Sequence, residues 1–304
     1  MDYSHLRFEA VIDWIEFEIQ TLTPTNFMTV QKALREFQGL PDDAMPYVMP
    51  LDEGEGRAAT IYRFRVQDLK RFQAVKSILS RAEKRFGFQV QPRITGIEVA
   101  FDTYRVGASA RQLAEIITDR YRFSTAIPEA GSWYFYRKTG EGRGYIKTLE
   151  VRNEVVKRFE SGWQLTDTNY QTADCRFHLY VKTTDNKARL PVGQHRARFE
   201  VALKGEAAPC KTFEELEHFN FEKLAHLFNF RRYADNLHPM AKYALTKCAI
   251  RQSGARGKYL RIHGGRRAGS SVFRWTTIAD DRLNKTVRMK LAKLTRGWKS
   301  KRAA

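Results

Sequence analysis

Seven consecutive residues, Arg176-Phe177-His178-Leu179-Tyr180-Val181-Lys182, alternate without a break. Phe177, Leu179 and Val181 fall on one side of an extended chain; Arg176, His178, Tyr180 and Lys182 fall on the other. At a strand's rise, residues on one side stand about 7 Å apart. The polar side therefore sets a phenol and an imidazole among two cations. A phenolic oxygen beside groups that bind phosphate can attack phosphorus. The same pattern also describes the solvated face of an antiparallel sheet, and the stretch alone does not separate the two readings.

Two further stretches alternate in the same way. In Ile94–Tyr104, Glu98, Ala100, Asp102 and Tyr104 oppose Ile97, Val99 and Phe101. In His195–Leu203, Arg196, Arg198, Glu200 and Ala202 oppose Ala197, Phe199, Val201 and Leu203. Each apolar side must be covered, so all three read as strands packed on helices. If they share a sheet, their polar sides coincide. Glu98, Asp102 and Glu200 then meet Arg198, Tyr180, His178 and Lys182. Carboxylate oxygens suit Mg²⁺ or Mn²⁺. Such an ion polarises a phosphodiester oxygen while Tyr180 attacks. The same carboxylates also make ordinary cross-strand pairs with Arg196, Arg198 and Lys182. Strand register decides between these readings, and sequence does not give register.

Other signals of chemistry are missing. There is no phosphate-binding G-x-x-x-x-G-K-[ST] loop, no G-x-G-x-x-G after a strand and no zinc spacing of Cys and His. His218 and His226 lie in a helix-period segment, where surface histidines are common. No G-x-S-x-G occurs.

The remaining elements must position these strands. Val11–Ile19 alternates and reads as a strand. Thr25-Asn26 caps a helix over Phe27–Phe37, closed by Gly39. Thr60–Val66 is a second strand, and Asp68–Phe86 has helical spacing. Ser109–Tyr121 is an amphipathic helix with Leu113, Ile116 and Ile117 as its stripe. Trp133–Arg137 and Tyr145–Val151 form a hairpin. Val155–Trp163 is a short helix or an irregular connection. From Thr212 the period turns helical, through Phe213–Tyr233 and Met240–Ile250. A last helix, about Asp280–Trp298, carries Leu283, Val287, Leu291 and Leu294 at heptad-like spacing. It can dock DNA or a second copy of the chain. The pattern is α+β: an antiparallel sheet with helices on one face, then a helical and basic C-terminal region. The division falls near Lys204-Gly205-Glu206, giving a sheet-bearing 1–205 domain and a helical, basic 206–304 region.

The 304 residues carry a net charge of +19. Sixteen Lys and Arg against two Asp lie from Arg251 onward, so +14 sits there and +5 on the rest. A tail this basic suits a polyanion, with nucleic acid first and ribosome or anionic membrane as alternatives. Tyr259, Phe273 and Trp275 among its cations can stack on bases while Arg266, Arg267 and Arg274 follow phosphates. A basic terminus without a specific role is the competing reading. Cys175, Cys210 and Cys248 form no metal spacing and no even disulfide set, which implies a reducing cytoplasm. No apolar run reaches 18 residues and no signal peptide opens the chain.

Four of these places, in order, resemble the replication initiators of rolling-circle plasmids and filamentous phages (the Rep_trans type). They are Val11-Ile12-Asp13-Trp14, Ile97-Glu98-Val99-Ala100-Phe101-Asp102, Leu179-Tyr180-Val181-Lys182 and Arg198-Phe199-Glu200. The resemblance covers about residues 10–205. It implies a site-specific nickase in a bacterial cytoplasm. Its tyrosine attacks one strand of a replication origin, stays linked to the 5′ phosphate and frees a 3′ hydroxyl to prime synthesis. By position Tyr180 is then the nucleophile, Glu98, Asp102 and Glu200 are metal ligands for Mg²⁺ or Mn²⁺, and Lys182 steadies the phosphate. Arg176 and Arg198 join the tail arginines in contacting DNA, duplex and single-stranded. A host helicase is a further candidate partner, the last helix offers a contact for a homodimer, and the lack of a long apolar run leaves out a membrane. The chain departs from the family at Gly96, where Arg is frequent, at Glu98, where Asp is usual, and at His178, where Arg usually precedes the tyrosine. The last makes His178 a candidate ligand or base. Tyr134, Tyr136 and Tyr145 are rival nucleophiles. A DNA-binding repressor or partition protein without catalysis is the alternative on the same sheet.

Overall fold

The structure, a computed structural model, describes residues 3–54, 57–127, 133–137, 143–145, 152–167, 174–185, 188–239 and 277–300. Its strands are β1 (Leu6–Asn26), β2 (Val48–Pro50), β3 (Ala58–Gln67), β4 (Arg93–Arg105), β5 (Trp133–Tyr136), β6 (Arg143–Tyr145), β7 (Gln164–Asp167), β8 (Cys175–Lys182), β9 (Thr184–Asp185), β10 (Ala188–Arg189), β11 (Arg196–Lys204), β12 (Arg231–Tyr233) and β13 (Thr277–Ala279). The α-helices are α1 (Phe27–Gln38), α2 (Phe72–Phe86), α3 (Ala110–Phe123), α4 (Arg152–Glu160), α5 (Phe213–His218) and α6 (Asp281–Trp298). The protein is α+β, built on a large antiparallel sheet. Nine strands order as β2-β3-β1-β4-β11-β8-β7-β5-β6. The three alternating stretches are therefore consecutive neighbours, β4-β11-β8.

Two compact units divide the chain. One holds Met1–Ala10, Phe101–Val201 and Glu222–Leu291; the other holds Val11–Ala100, Ala202–Phe221 and Ala292–Ala304. Residues beyond 205 thus contribute to both.

In the second unit, β1 pairs antiparallel with β3, Phe17 opposite Phe64, with a register shift between Gln20 and Thr25. Asn26 caps α1 by accepting from the Met28 N–H, and Gly39 ends it at φ 63°, a left-handed angle that glycine adopts without strain. Helices α1 and α2 bury Val30, Ala33 and Leu34 and Phe72, Val75, Ile78 and Leu79 respectively. Helix α2 starts at Phe72, four residues later than the sequence spacing suggests, because Asp68 sits at φ 53° and breaks the turn. Trp298, fully buried, stands edge-on to Phe72 and Phe221, and its indole N–H donates to the Leu216 carbonyl at 2.9 Å.

That aromatic cluster corrects the expectation of one helical run over Phe213–Tyr233. A Thr212/Glu215 capping box starts α5, which ends at His218. Phe219 and Phe221 then turn inward, and the Phe221 N–H donates to the Thr295 hydroxyl at 2.9 Å. A 3-10 segment, Phe221–Phe228, follows, and Arg231–Tyr233 is strand β12, paired with β13. Met240–Ile250 lies outside the described residues.

In the first unit, a Ser109/Gln112 capping box starts α3, whose Leu113, Ile116 and Ile117 are buried. Val155, Val156 and Phe159 of α4 are buried as well, and Phe159 stands edge-on to Phe135 of β5. Phe101, Phe177 and Phe199 form the apolar side of β4, β8 and β11, with Phe228 and Phe230 packed on Phe101 and Phe199.

Candidate catalytic face of the sheet

The polar side of this region is built by register. Leu165 pairs with Leu179 and Thr166 with His178 between β7 and β8; Tyr134 pairs with Thr166 and Tyr136 with Gln164 between β5 and β7. Alternation then sets Tyr134 and Tyr136, Gln164 and Thr166, and His178 and Tyr180 on one face. Arg198 and Glu200 of β11 and Asp102 of β4 join it through side-chain contacts.

Glu200 is the hub. It is 2% exposed. Oε1 accepts from the Tyr180 hydroxyl at 2.7 Å and from Arg198 Nη1 at 3.4 Å, while Oε2 lies 3.0 Å from His178 Nδ1. Burial opposes its ionisation, but the hydrogen bond and charge of His178, the Arg198 guanidinium and the Tyr180 hydroxyl together outweigh it and lower its pKa to about 2. An ionised carboxylate only accepts, so His178 Nδ1 is the donor of that contact. Its Nε2 lies 2.8 Å from the Tyr136 hydroxyl and 2.9 Å from Gln164 Oε1, and its ring stacks on Tyr136 at 5.7 Å and 17°.

Asp102 is fully buried and serves two arginines. Arg198 Nε and Nη2 donate to its two oxygens at 2.7 Å each, a bidentate fork, and Arg196 Nε forms an ion pair at 3.0 Å. Burial disfavours the Arg198 cation, yet Asp102 and Glu200 hold its pKa well above the ordinary value. Arg198 is thus an internal cation, 2% exposed, rather than a surface one. Lys182 is buried and pairs with Asp185 at 3.0 Å. Arg176 is half-buried on the same strand.

Three carboxylates gather differently from the sequence expectation. One oxygen each from Asp13, Glu98 and Glu200 lies within 4.8 Å of the others; Asp13 and Glu98 are half-buried. All three donors are hard oxygens, the set that suits Mg²⁺ or Mn²⁺ and not zinc. Glu98 and Glu200 are in this group, and Asp102 is not. Asp13 stands out in the sequence through the first alternating strand and the Val11-Ile12-Asp13-Trp14 resemblance, but neither marks it as a partner of Glu200. Gln164 has no role in the sequence reading and Tyr136 only that of a rival nucleophile, because their link to His178 depends on the β5-β7-β8 register. Arg266, Arg267 and Arg274, with Tyr259, Phe273, Trp275 and Cys248, lie outside the described residues, and so does the side chain of Tyr145.

Fold and face together define an α+β protein with a tyrosine, a buried carboxylate and an arginine joined on one side of an antiparallel sheet. No family model matches the chain, and no curated protein matches it in sequence. Among solved structures it is similar to one described as that of a rolling circle replication initiator protein from Geobacillus stearothermophilus. The identity is 12% over 77% of this chain and 90% of that chain, at a TM-score of 0.34. A likeness that distant carries no argument about activity. Among the described residues, no helix is long and apolar enough to cross a membrane.

Proposed function

We propose that the chain is a replication initiator that nicks one strand of an origin with Tyr180 as nucleophile. The observation that carries this reading is the Tyr180 hydroxyl held at 2.7 Å by an ionised, buried Glu200 whose other partners are Arg198 and His178. In the reaction the Tyr180 oxygen forms a bond to phosphorus and the bond from phosphorus to the 3′ oxygen breaks. The phenol loses one proton and the 3′ oxygen gains one, so the step balances without a co-reactant. It leaves a 5′-phosphotyrosyl link and a 3′ hydroxyl, a primer for rolling-circle synthesis. Glu200 orients the phenol; with its low pKa it is an acceptor of a hydrogen bond more than a store for a proton. Asp13, Glu98 and Glu200 are the residues that would hold Mg²⁺ or Mn²⁺, which supplies charge neutralisation at the phosphate when bound. Lys182, two residues beyond Tyr180 on the same side, adds a cation beside it.

The ion pairs of Asp102 with Arg196 and Arg198 favour a second reading, a repressor or partition protein that binds DNA without cutting it. Incubation with supercoiled origin DNA and Mn²⁺ separates the two. The nickase yields open circles and a protein–DNA adduct, and Tyr180→Phe yields neither. Nicking and adduct that survive Tyr180→Phe would move the nucleophile to Tyr134, Tyr136 or Tyr145; binding with no cut under any metal would leave the repressor reading.

A further inference from the structure

Helix α6 divides cleanly into two sides. Leu283, Val287, Leu291 and Trp298 are at most 1% exposed and Leu294 is half-buried, so most of the stripe that could have joined a second copy is already inside the fold. The opposite side holds Arg282, Lys285, Arg288, Lys293, Arg296 and Lys299, all exposed, with Asp281 as the sole acid. At 100° per residue these cations span less than half the helix circumference. None of Lys285, Arg288, Lys293, Arg296 and Lys299 makes an ion pair among the described residues. Like charges three and four residues apart repel one another on a helix. Arg282 and Lys285 also sit near the N-terminal end, where the helix dipole disfavours cations. Helix stability alone does not account for that arrangement, and a polyanion laid along the helix does.

From this we infer that the exposed side of α6 is a binding surface for the phosphate backbone of duplex DNA, read without regard to base sequence. Lys285 to Arg296 covers about 17 Å of helix, with Lys299 just past its end, and duplex DNA presents one charge per roughly 1.7 Å of its axis, so the duplex supplies phosphates for every cation on the stripe. The inference rests on the initiator reading only for the presence of DNA, and it holds for a repressor as well.

The test uses the full chain carrying Tyr180→Phe, without divalent metal, so that binding is read apart from cutting. A 30-base-pair duplex is titrated from 50 to 300 mM NaCl against this chain and against one that adds Lys285→Gln, Lys293→Gln and Arg296→Gln. Three lost phosphate contacts lower the slope of log affinity against log salt by about 2.7 and weaken binding at least tenfold near 100 mM salt. Lys285→Arg with Lys293→Arg keeps the slope, and thermal melting shows that the variants fold. An unchanged slope, or loss of affinity for phosphatidylserine vesicles with duplex binding intact, overturns the inference. A Tyr180 chain that binds with the predicted slope but never nicks would reject the nickase reading and leave this surface standing.

Discussion

Tyr180 and Glu200 lie on adjacent strands with the phenol donating to Oε1 at 2.7 Å, and the acceptor is a carboxylate ionised while almost wholly buried. Neither residue explains the contact alone. A buried carboxylate stays charged only when its partners outweigh its desolvation, and His178, Arg198 and Tyr180 do so here.

The first prediction follows from that balance. Glu200 has a folded pKa of about 2 against an ordinary 4.5. A depressed carboxylate pKa adds stability that is fully present above the ordinary value and is lost as pH falls through the folded one. The window is therefore about pH 4.5 down to about pH 2. Across it, wild type should lose up to about 3 kcal/mol more than Glu200→Gln in urea unfolding. At pH 7 the variant should be the less stable by about 1–3 kcal/mol, since it keeps the shape and loses the charge. Glu16, lowered by Lys204 and Arg65 against its own burial, shifts both proteins alike and cancels in the difference. Parallel curves would reject this account of Glu200.

His178 gives a second prediction. His178→Phe retains a ring to stack on Tyr136 but removes the donor to Glu200 Oε2. The variant should be destabilised by about 1–3 kcal/mol at neutral pH. Its acid-unfolding midpoint should move to higher pH, because the largest influence lowering the Glu200 pKa is gone. A midpoint unchanged or moved lower would show that Glu200 is held by Arg198 and Tyr180 alone.

The strands that matter were readable because each alternates for seven residues or more. Ile94–Tyr104 differs from β4 by one residue at each end, and Arg176–Lys182 from β8 by one. Alternation also told which side chains share a face. It did not tell which of them touch. Asp102 and Arg198 are 96 residues apart, and only the β4-β11 adjacency makes Asp102 an arginine anchor while Glu98 lies near Glu200. The break at Phe219 was equally hidden. Its cause, Trp298 and Thr295, lies more than 70 residues along the chain, and local periodicity carries no trace of it.

Gly96 supplies the third prediction. A Cβ placed there would lie 3.2 Å from the Leu203 carbonyl oxygen, 3.2 Å from the Trp14 ring and 3.0 Å from Lys204 Cγ. A side chain there needs the Leu203 backbone and the Trp14 ring to give by a few tenths of an ångström. Beside it, Lys204 and Arg65 both pair with Glu16. Gly96→Ala should cost about 1–3 kcal/mol by overpacking, seen as a lower urea midpoint with an unchanged slope. A variant as stable as wild type would mean that the β4 backbone shifts freely at this point.

The last prediction separates an arginine anchor from a metal ligand. Both Asp102 oxygens are taken, at 2.7 Å by the two Arg198 donors, with Arg196 at 3.0 Å. Glu98 instead stands with Asp13 and Glu200, their oxygens within 4.8 Å. In a Tyr180→Phe background, Glu98→Gln should weaken Mn²⁺ binding about tenfold or more, measured by calorimetry or by the Mn²⁺ resonance signal, with folding intact. Asp102→Asn should do the reverse. It should leave Mn²⁺ affinity within about threefold yet cost about 3–5 kcal/mol, because two buried guanidinium groups lose their counter-charge. If that variant does not fold, Asp102→Asn with Arg198→Met removes both charges of the fork and should recover part of the loss. Mn²⁺ affinity that falls with Asp102→Asn and not with Glu98→Gln would return Asp102 to the metal site and make its arginine pairs a state that the ion displaces.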